Sequence, residues 1–174
     1  KSLEVSHTTA RTYLDILQDF FMVRQLHPWS GNTKKRLVKT PKVFIRDTGL
    51  LHSLLNITSF DQLLGHPAVG ASWEGFVIEN ILNYIPANWS ASYYRSSNQA
   101  EIDLVLEFGT KEVWAVEIKK SSAPTIRSGF HRACEDIAAT KKHIVYSGSD
   151  RFPMRGDIEV VGVIEFLKMI AKAE

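Results

Sequence analysis

The chain has 174 residues, 44% of them apolar and 23% charged, an ordinary composition for one domain or a small domain joined to a larger one. Its formal charge of +2 permits a polyanionic partner without arguing for one. The single cysteine, Cys134, excludes an intrachain disulfide and a cysteine-rich zinc site. It points to a reducing compartment, the cytoplasm. No signal peptide and no membrane-spanning apolar run are visible, and the opening at Lys1, directly before a helix signal, suggests a fragment of a longer protein.

Ser6 is a candidate N-cap, and Ala10, Tyr13, Leu14 and Leu17 follow at helical spacing. An apolar run, Phe20–Leu26, leads to a turn at Pro28–Asn32. The basic segment Lys34-Lys35-Arg36-Leu37-Val38-Lys39 then precedes a strand pattern, Lys42–Ile45. Helix, strand, glycine-containing turn and basic strand is the order of a winged-helix unit, whose wing can meet phosphates. The same lysines would serve equally to solvate an edge strand. Asp47 suits the cap of a short helix reaching about Leu55, and the mixed stretch Asn56–Gly70 reads as a connection. The expected organisation is a winged-helix-like unit with its connector over residues 1–65 and a larger unit over residues 66–174.

The spacing predicts a helix over Ala71–Tyr84, buried through Trp73, Phe76, Val77, Ile81 and Tyr84, with Glu74 at the margin of that face. Pro86 ends it, and Trp89–Arg95 reads as a strand. Two further strands follow, Glu101–Glu107 and Glu112–Lys120, joined by a turn holding Gly109. Strict alternation puts Ile102, Leu104 and Leu106 on one face of the first, and Glu101, Asp103 and Val105 on the other. In the second, Val113, Ala115, Glu117 and Lys119 oppose Trp114, Val116 and Ile118. A helix over Ile126–Thr140, a strand over Lys142–Ser147, a loop over Gly148–Asp157, a strand over Ile158–Val161 and a helix over Val163–Ala173 complete the chain.

Asp103, Glu117 and Lys119 thus gather on strands built otherwise from apolar residues. Charged groups beside a core are costly unless paired or bound to a cation. Two explanations stand at this point. Lys119 neutralises Asp103 or Glu117 in a structural ion pair, or the carboxylates supply hard oxygen ligands to a divalent ion. Arg95, Asn98 and Gln99, just before the acidic strand, suit a loop surface or a phosphate contact, and Glu101 either assists or points to solvent. The histidines show no ligand spacing, and no Gly-x-x-x-x-Gly-Lys loop for ATP is present.

Helical Glu74, then Asp103, then Glu117-Ile118-Lys119 resembles the PD-(D/E)XK nuclease pattern, although no proline precedes Asp103. Nearly the whole chain, through the blocks KRLVKTPKVF, DTGL, WE, EIDLVL and EIK, resembles the uncharacterised C-terminal domain of a family of prokaryotic AAA+ ATPases. The resemblance implies an α/β, restriction-endonuclease-like mixed sheet flanked by helices. It implies Mg2+ or Mn2+ held by Asp103, Glu117 and Glu74, and Lys119 orienting the attacking water. DNA is the expected substrate, and an upstream ATPase domain of the same polypeptide the expected partner. The alternative is a non-catalytic nucleic-acid- or protein-binding regulatory domain of that ATPase.

Overall fold

The first helix, α1 (His7–Asp19), starts where Ser6 caps it, the Ser6 hydroxyl accepting the Thr9 amide at 3.1 Å. The computed structural model describes residues 4–33 and 35–173. Among these, the expected stripe of α1 is only lightly covered: Leu14 is half-buried, the helix fully buries none of its residues, and Tyr13 is 60% exposed. Strands β1 (Val23–Leu26) and β2 (Lys42–Ile45) pair antiparallel, from Val23↔Ile45 to Leu26↔Lys42. Leu26 and Phe44 of this ribbon enter the main core.

The basic segment between the two strands is not a strand of its own. Lys34 lies outside the described residues; the rest meets only the end of β3 (Ser90–Arg95), at Arg95 and Ser96, while the preceding His27–Trp29 meets the strand at Tyr93. The Trp29 amide donates to the Tyr93 carbonyl at 2.7 Å, and the Val38 amide to the Arg95 carbonyl at 2.9 Å. The Tyr93 hydroxyl donates to the Thr40 carbonyl.

Asp47 caps α2 (Thr48–Leu54) by accepting the Leu50 amide at 3.0 Å, as expected. The stretch read as a connection contains α3 (Phe60–Gly65), capped by Ser59 but too short to show a full apolar period. Next comes α4 (Val69–Tyr84). Its buried residues differ from the expected set: Phe76 and Tyr84 are exposed, while Ser72, Gly75 and Glu79 are buried. The reason is that α4 has two covered sides. Val77, Ile78 and Ile81 meet the central sheet, whereas Gly75 meets Phe44, Ser72 meets His52, and Glu79 meets Arg24 and Arg46.

Strands β4 (Glu101–Phe108), β5 (Glu112–Lys119), β6 (Lys141–Tyr146), β7 (Arg151–Met154) and β8 (Ile158–Gly162) complete a six-stranded mixed sheet in the order β3-β4-β5-β6-β8-β7. β3, β4 and β5 are antiparallel neighbours, and the β4–β5 turn has Gly109 at φ +60°, a left-handed conformation that glycine adopts freely. β5–β6 and β6–β8 are parallel, with α5 (Ser128–Asp136) in the first crossover. That helix is shorter than the expected Ile126–Thr140. β7 falls in the stretch read as a loop; its Pro153 is tolerated because the strand sits at the sheet edge. The chain ends with α6 (Val163–Ala171), and α4 and α6 cover one face of the sheet, α5 the other.

One irregularity corrects the alternation read along β4. Ile102 packs with Val105 in the core under α5, while Leu104 and Leu106 pack in the core under α4. The faces exchange because the β3–β4 register slips between Ser92 and Tyr94, a bulge that places one extra residue on β4. Asp103 lies at that bulge.

Candidate functional site

The site forms where β4 and β5 part company. Their antiparallel pairing runs from Phe108↔Glu112 to Leu104↔Val116 and stops there. One residue further, the Asp103 carboxylate takes over a ladder position: its Oδ2 accepts the Ile118 amide at 2.9 Å. Glu117 and Lys119 occupy the carboxyl end of β5, the side on which open α/β sheets present ligand sites. α4 brings Glu74 from one flank, and the start of α5 closes the other.

The result is a cleft of about 410 Å3 whose walls include all four expected residues, Glu74, Asp103, Glu117 and Lys119, together with Glu101, Lys120 and Arg127. Gly129 lets α5 approach: a Cβ there would lie 2.6 Å from the Gln99 carbonyl oxygen. Two larger hollows, of about 490 and 660 Å3, lie at the β6–β8–β7 edge and beside Phe21 and Arg46. Neither gathers acids from a helix and two strands. His143, in the first, is held neutral by burial, its pKa lowered to about 4.

Every acid in the cleft has a cation beside it. Lys119 Nζ is 2.5 Å from Glu117 Oε1, so the ion pair foreseen for Lys119 exists, with Glu117. Arg95 Nη2 is 3.2 Å from Glu101 Oε2. Lys42 Nζ lies 2.9 Å from Glu74 Oε1 and 3.3 Å from Asp103 Oδ1. Burial, and then the Asp103 charge, pushes the Glu117 pKa up to about 7, against the pull of Lys119. Burial and Asp103 likewise raise Glu74. Burial alone would lower the Lys42 ammonium, but the Asp103 and Glu74 charges outweigh it and hold its pKa above the usual value.

The carboxylate oxygens are the donor chemistry that Mg2+ and Mn2+ take. Their present placement suits an ammonium instead, since Lys42 stands between Glu74, Glu101 and Asp103. Among the described residues, no three His, Cys, Asp or Glu side chains are grouped to hold a metal ion. Lys42 is the residue that sequence reasoning missed. Its one signal was a charge opening the apolar strand Lys42-Val43-Phe44-Ile45, 32 residues before Glu74.

Fold and cleft together define an α/β domain with an acid–lysine cluster at the carboxyl end of a central strand. The chain belongs to a family described as a domain of unknown function, DUF4143, whose model matches residues 69–166. Residues 1–61 match a second domain of unknown function, DUF8612. Uncharacterized proteins of Mycobacterium bovis and Mycobacterium tuberculosis are each 42% identical over 167 residues, 96% of this chain, and the chain spans 37% of their length. A solved half-complex of Thermococcus gammatolerans McrB AAA+ hexamers with bound McrC overlaps 95% of this chain and 66% of its own at 9% identity and a TM-score of 0.45. That overlap assigns neither fold nor activity. No helix among the described residues is long and apolar enough to cross a membrane.

Proposed function

We propose that this chain is a metal-dependent, PD-(D/E)XK nuclease-like domain that hydrolyses phosphodiester bonds in DNA and serves an AAA+ ATPase in the cytoplasm. Residues 1–65 would act as its winged-helix-like unit and residues 66–174 as its restriction-endonuclease-like body. The observation that carries it is the convergence of Glu74, Asp103, Glu117 and Lys119, from one helix and two adjacent strands, on one open cleft.

Asp103, Glu117 and Glu74 would hold Mg2+ or Mn2+. A divalent ion bound there would supply Lewis acidity toward the phosphodiester and its attacking water. Lys119 would orient that water, a role that its position beside Glu117 at the cleft wall supports. Lys120 and Arg127 give the phosphate backbone two cations on the same wall. The test is cleavage of single- and double-stranded DNA with Mg2+ or Mn2+ by wild type, Glu117→Ala and Lys119→Ala. Activity in wild type, lost by about a hundredfold or more in both variants, is expected. Equal activity in all three would reveal a contaminating nuclease and refute the proposal.

A second reading, a non-catalytic regulatory domain that docks protein, has one observation in its favour. α1, α2 and α3 bury none of their residues among those described, and Phe20 and Phe21 are 73% and 74% exposed. Absence of cleavage, with salt-insensitive capture of the ATPase, would favour it.

A further inference from the structure

Lys42 opens β2, and its ammonium makes three contacts: 2.9 Å to Glu74 Oε1, 3.2 Å to Glu101 Oε1 and 3.3 Å to Asp103 Oδ1. The ammonium donates hydrogen bonds to Glu74 on α4 and to Asp103 at the β4 bulge, and Glu101, the first residue of β4, adds a third carboxylate as an ion pair. The Lys42 side chain is 17% exposed, and its Nζ lies 5.4 Å from the centre of the Tyr93 ring.

The ribbon delivers this lysine through two more anchors. Lys42, Phe44 and Arg46 alternate along one face of the β2 segment and meet α4 at Glu74, Gly75 and Glu79 in turn. A Cβ at Gly75 would lie 3.1 Å from Phe44 Cδ1, so the glycine is what lets the ribbon lie this close to the helix.

Counting formal charges shows what the lysine does. Glu74, Glu101, Asp103 and Glu117 bring four negative charges, and Lys42, Arg95 and Lys119 pair with them, leaving one. A divalent ion added to that set would give the cluster a net positive charge. With the Lys42 ammonium withdrawn, two negative charges remain, the complement of one divalent ion. The two cations also cannot share the place: Mg2+ needs oxygens at about 2.0–2.1 Å, in the volume that Nζ now fills.

We propose that Lys42 is a tethered cation, held by Glu74, Glu101 and Asp103, that competes with a divalent ion for Glu74 and Asp103, so that metal enters only as the ammonium leaves. It rests on the metal-dependent reading above. The lysine is carried by the N-terminal ribbon, which Phe44 and Arg46 anchor to α4.

The experiment is calorimetric titration of Mn2+ into the 174-residue chain as wild type, Lys42→Met and Lys42→Arg. Lys42→Met should bind Mn2+ about tenfold more tightly or better, and Lys42→Arg, which keeps the charge, should not. Equal affinity in wild type and Lys42→Met overturns the proposal. Should Lys42→Met not fold, the wild type decides. At a Mn2+ concentration that loads it, acetylation of Lys42 by an amine reagent should speed up several-fold relative to Lys141, and an unchanged rate overturns the proposal. Failure here is separable from failure of the nuclease reading. Wild type that binds Mn2+ and cleaves DNA, with no gain in Lys42→Met, sinks the competition alone. A gain in Mn2+ affinity with no cleavage by any variant sinks the nuclease alone, and no Mn2+ binding by any variant sinks both.

Discussion

Glu79→Ala should loosen the ribbon from α4 and cost the fold about 2–3 kcal/mol. Glu79 accepts from Arg24 Nε at 2.5 Å and Arg24 Nη2 at 2.9 Å, a bidentate pair, and from Arg46 Nε at 2.6 Å. Its side chain is 12% exposed, against 26% and 24% for the two arginines. Breaking a fully buried pair costs about 3–5 kcal/mol and an exposed one about 0–1, so this partly screened triad falls between them. Removing the carboxylate also leaves two guanidiniums facing each other. Thermal denaturation followed by circular dichroism should show a midpoint lowered by roughly 4–12 °C for a domain of this size. The pH dependence gives a second, independent reading. Burial would raise the Glu79 carboxyl, but the arginine hydrogen bonds and charges outweigh it and hold it below its ordinary 4.5. A depressed carboxyl stabilises the fold above that ordinary value and ceases to do so as pH falls through the depressed one. The gap between wild type and Glu79→Ala should therefore be constant from pH 8 to pH 5, about three pH units, and close in stronger acid. A cost below about 0.5 kcal/mol, or a gap indifferent to acid, would show that this triad does not hold the ribbon.

Glu117 should act in the opposite sense. Its pKa is raised from 4.5 to about 7, so between these values the folded state binds more protons than the unfolded, and stability falls as pH rises. Glu117→Gln should remove that slope and gain on the order of 2 kcal/mol over wild type at pH 8 relative to pH 5 in urea denaturation. Parallel profiles for the two chains would refute the buried-acid account. At the opposite wall, Gly129→Ala should drive its new methyl against the Gln99 carbonyl and cost about 1–3 kcal/mol in thermal denaturation. An unchanged midpoint would mean that α5 can retreat freely from the cleft.

The acid set was legible because it lies on elements with strong local signatures. The Glu112–Lys119 strand alternates as expected, with Trp114, Val116 and Ile118 in one core and Ala115 in the other. Glu74 lies in the long helix α4, and the turn at Gly109 places β4 and β5 side by side, so three of the four expected residues sit on neighbouring strands. The buried face of α4 was less legible. Phe76 and Tyr84 are apolar at helical spacing yet exposed, because the second covered side of the helix is built from Gly75, Ser72 and Glu79, which no hydrophobic period marks. The bulge at Asp103 was hidden for a similar reason: it is a slip against β3, visible only once the partner strand is in register.

By itself the amino-acid order determined the α/β layering, the central hairpin and the side chains with charge to spare beside the core, since each follows from local periodicity and turn chemistry. Only the tertiary structure decided what those charges meet. Lys42 and Glu101 reach the cluster through a ribbon and a bulge whose positions depend on packing between segments far apart in the chain. A carboxylate's partner is set by distances of 3 Å or so in space, and no spacing along the chain encodes them.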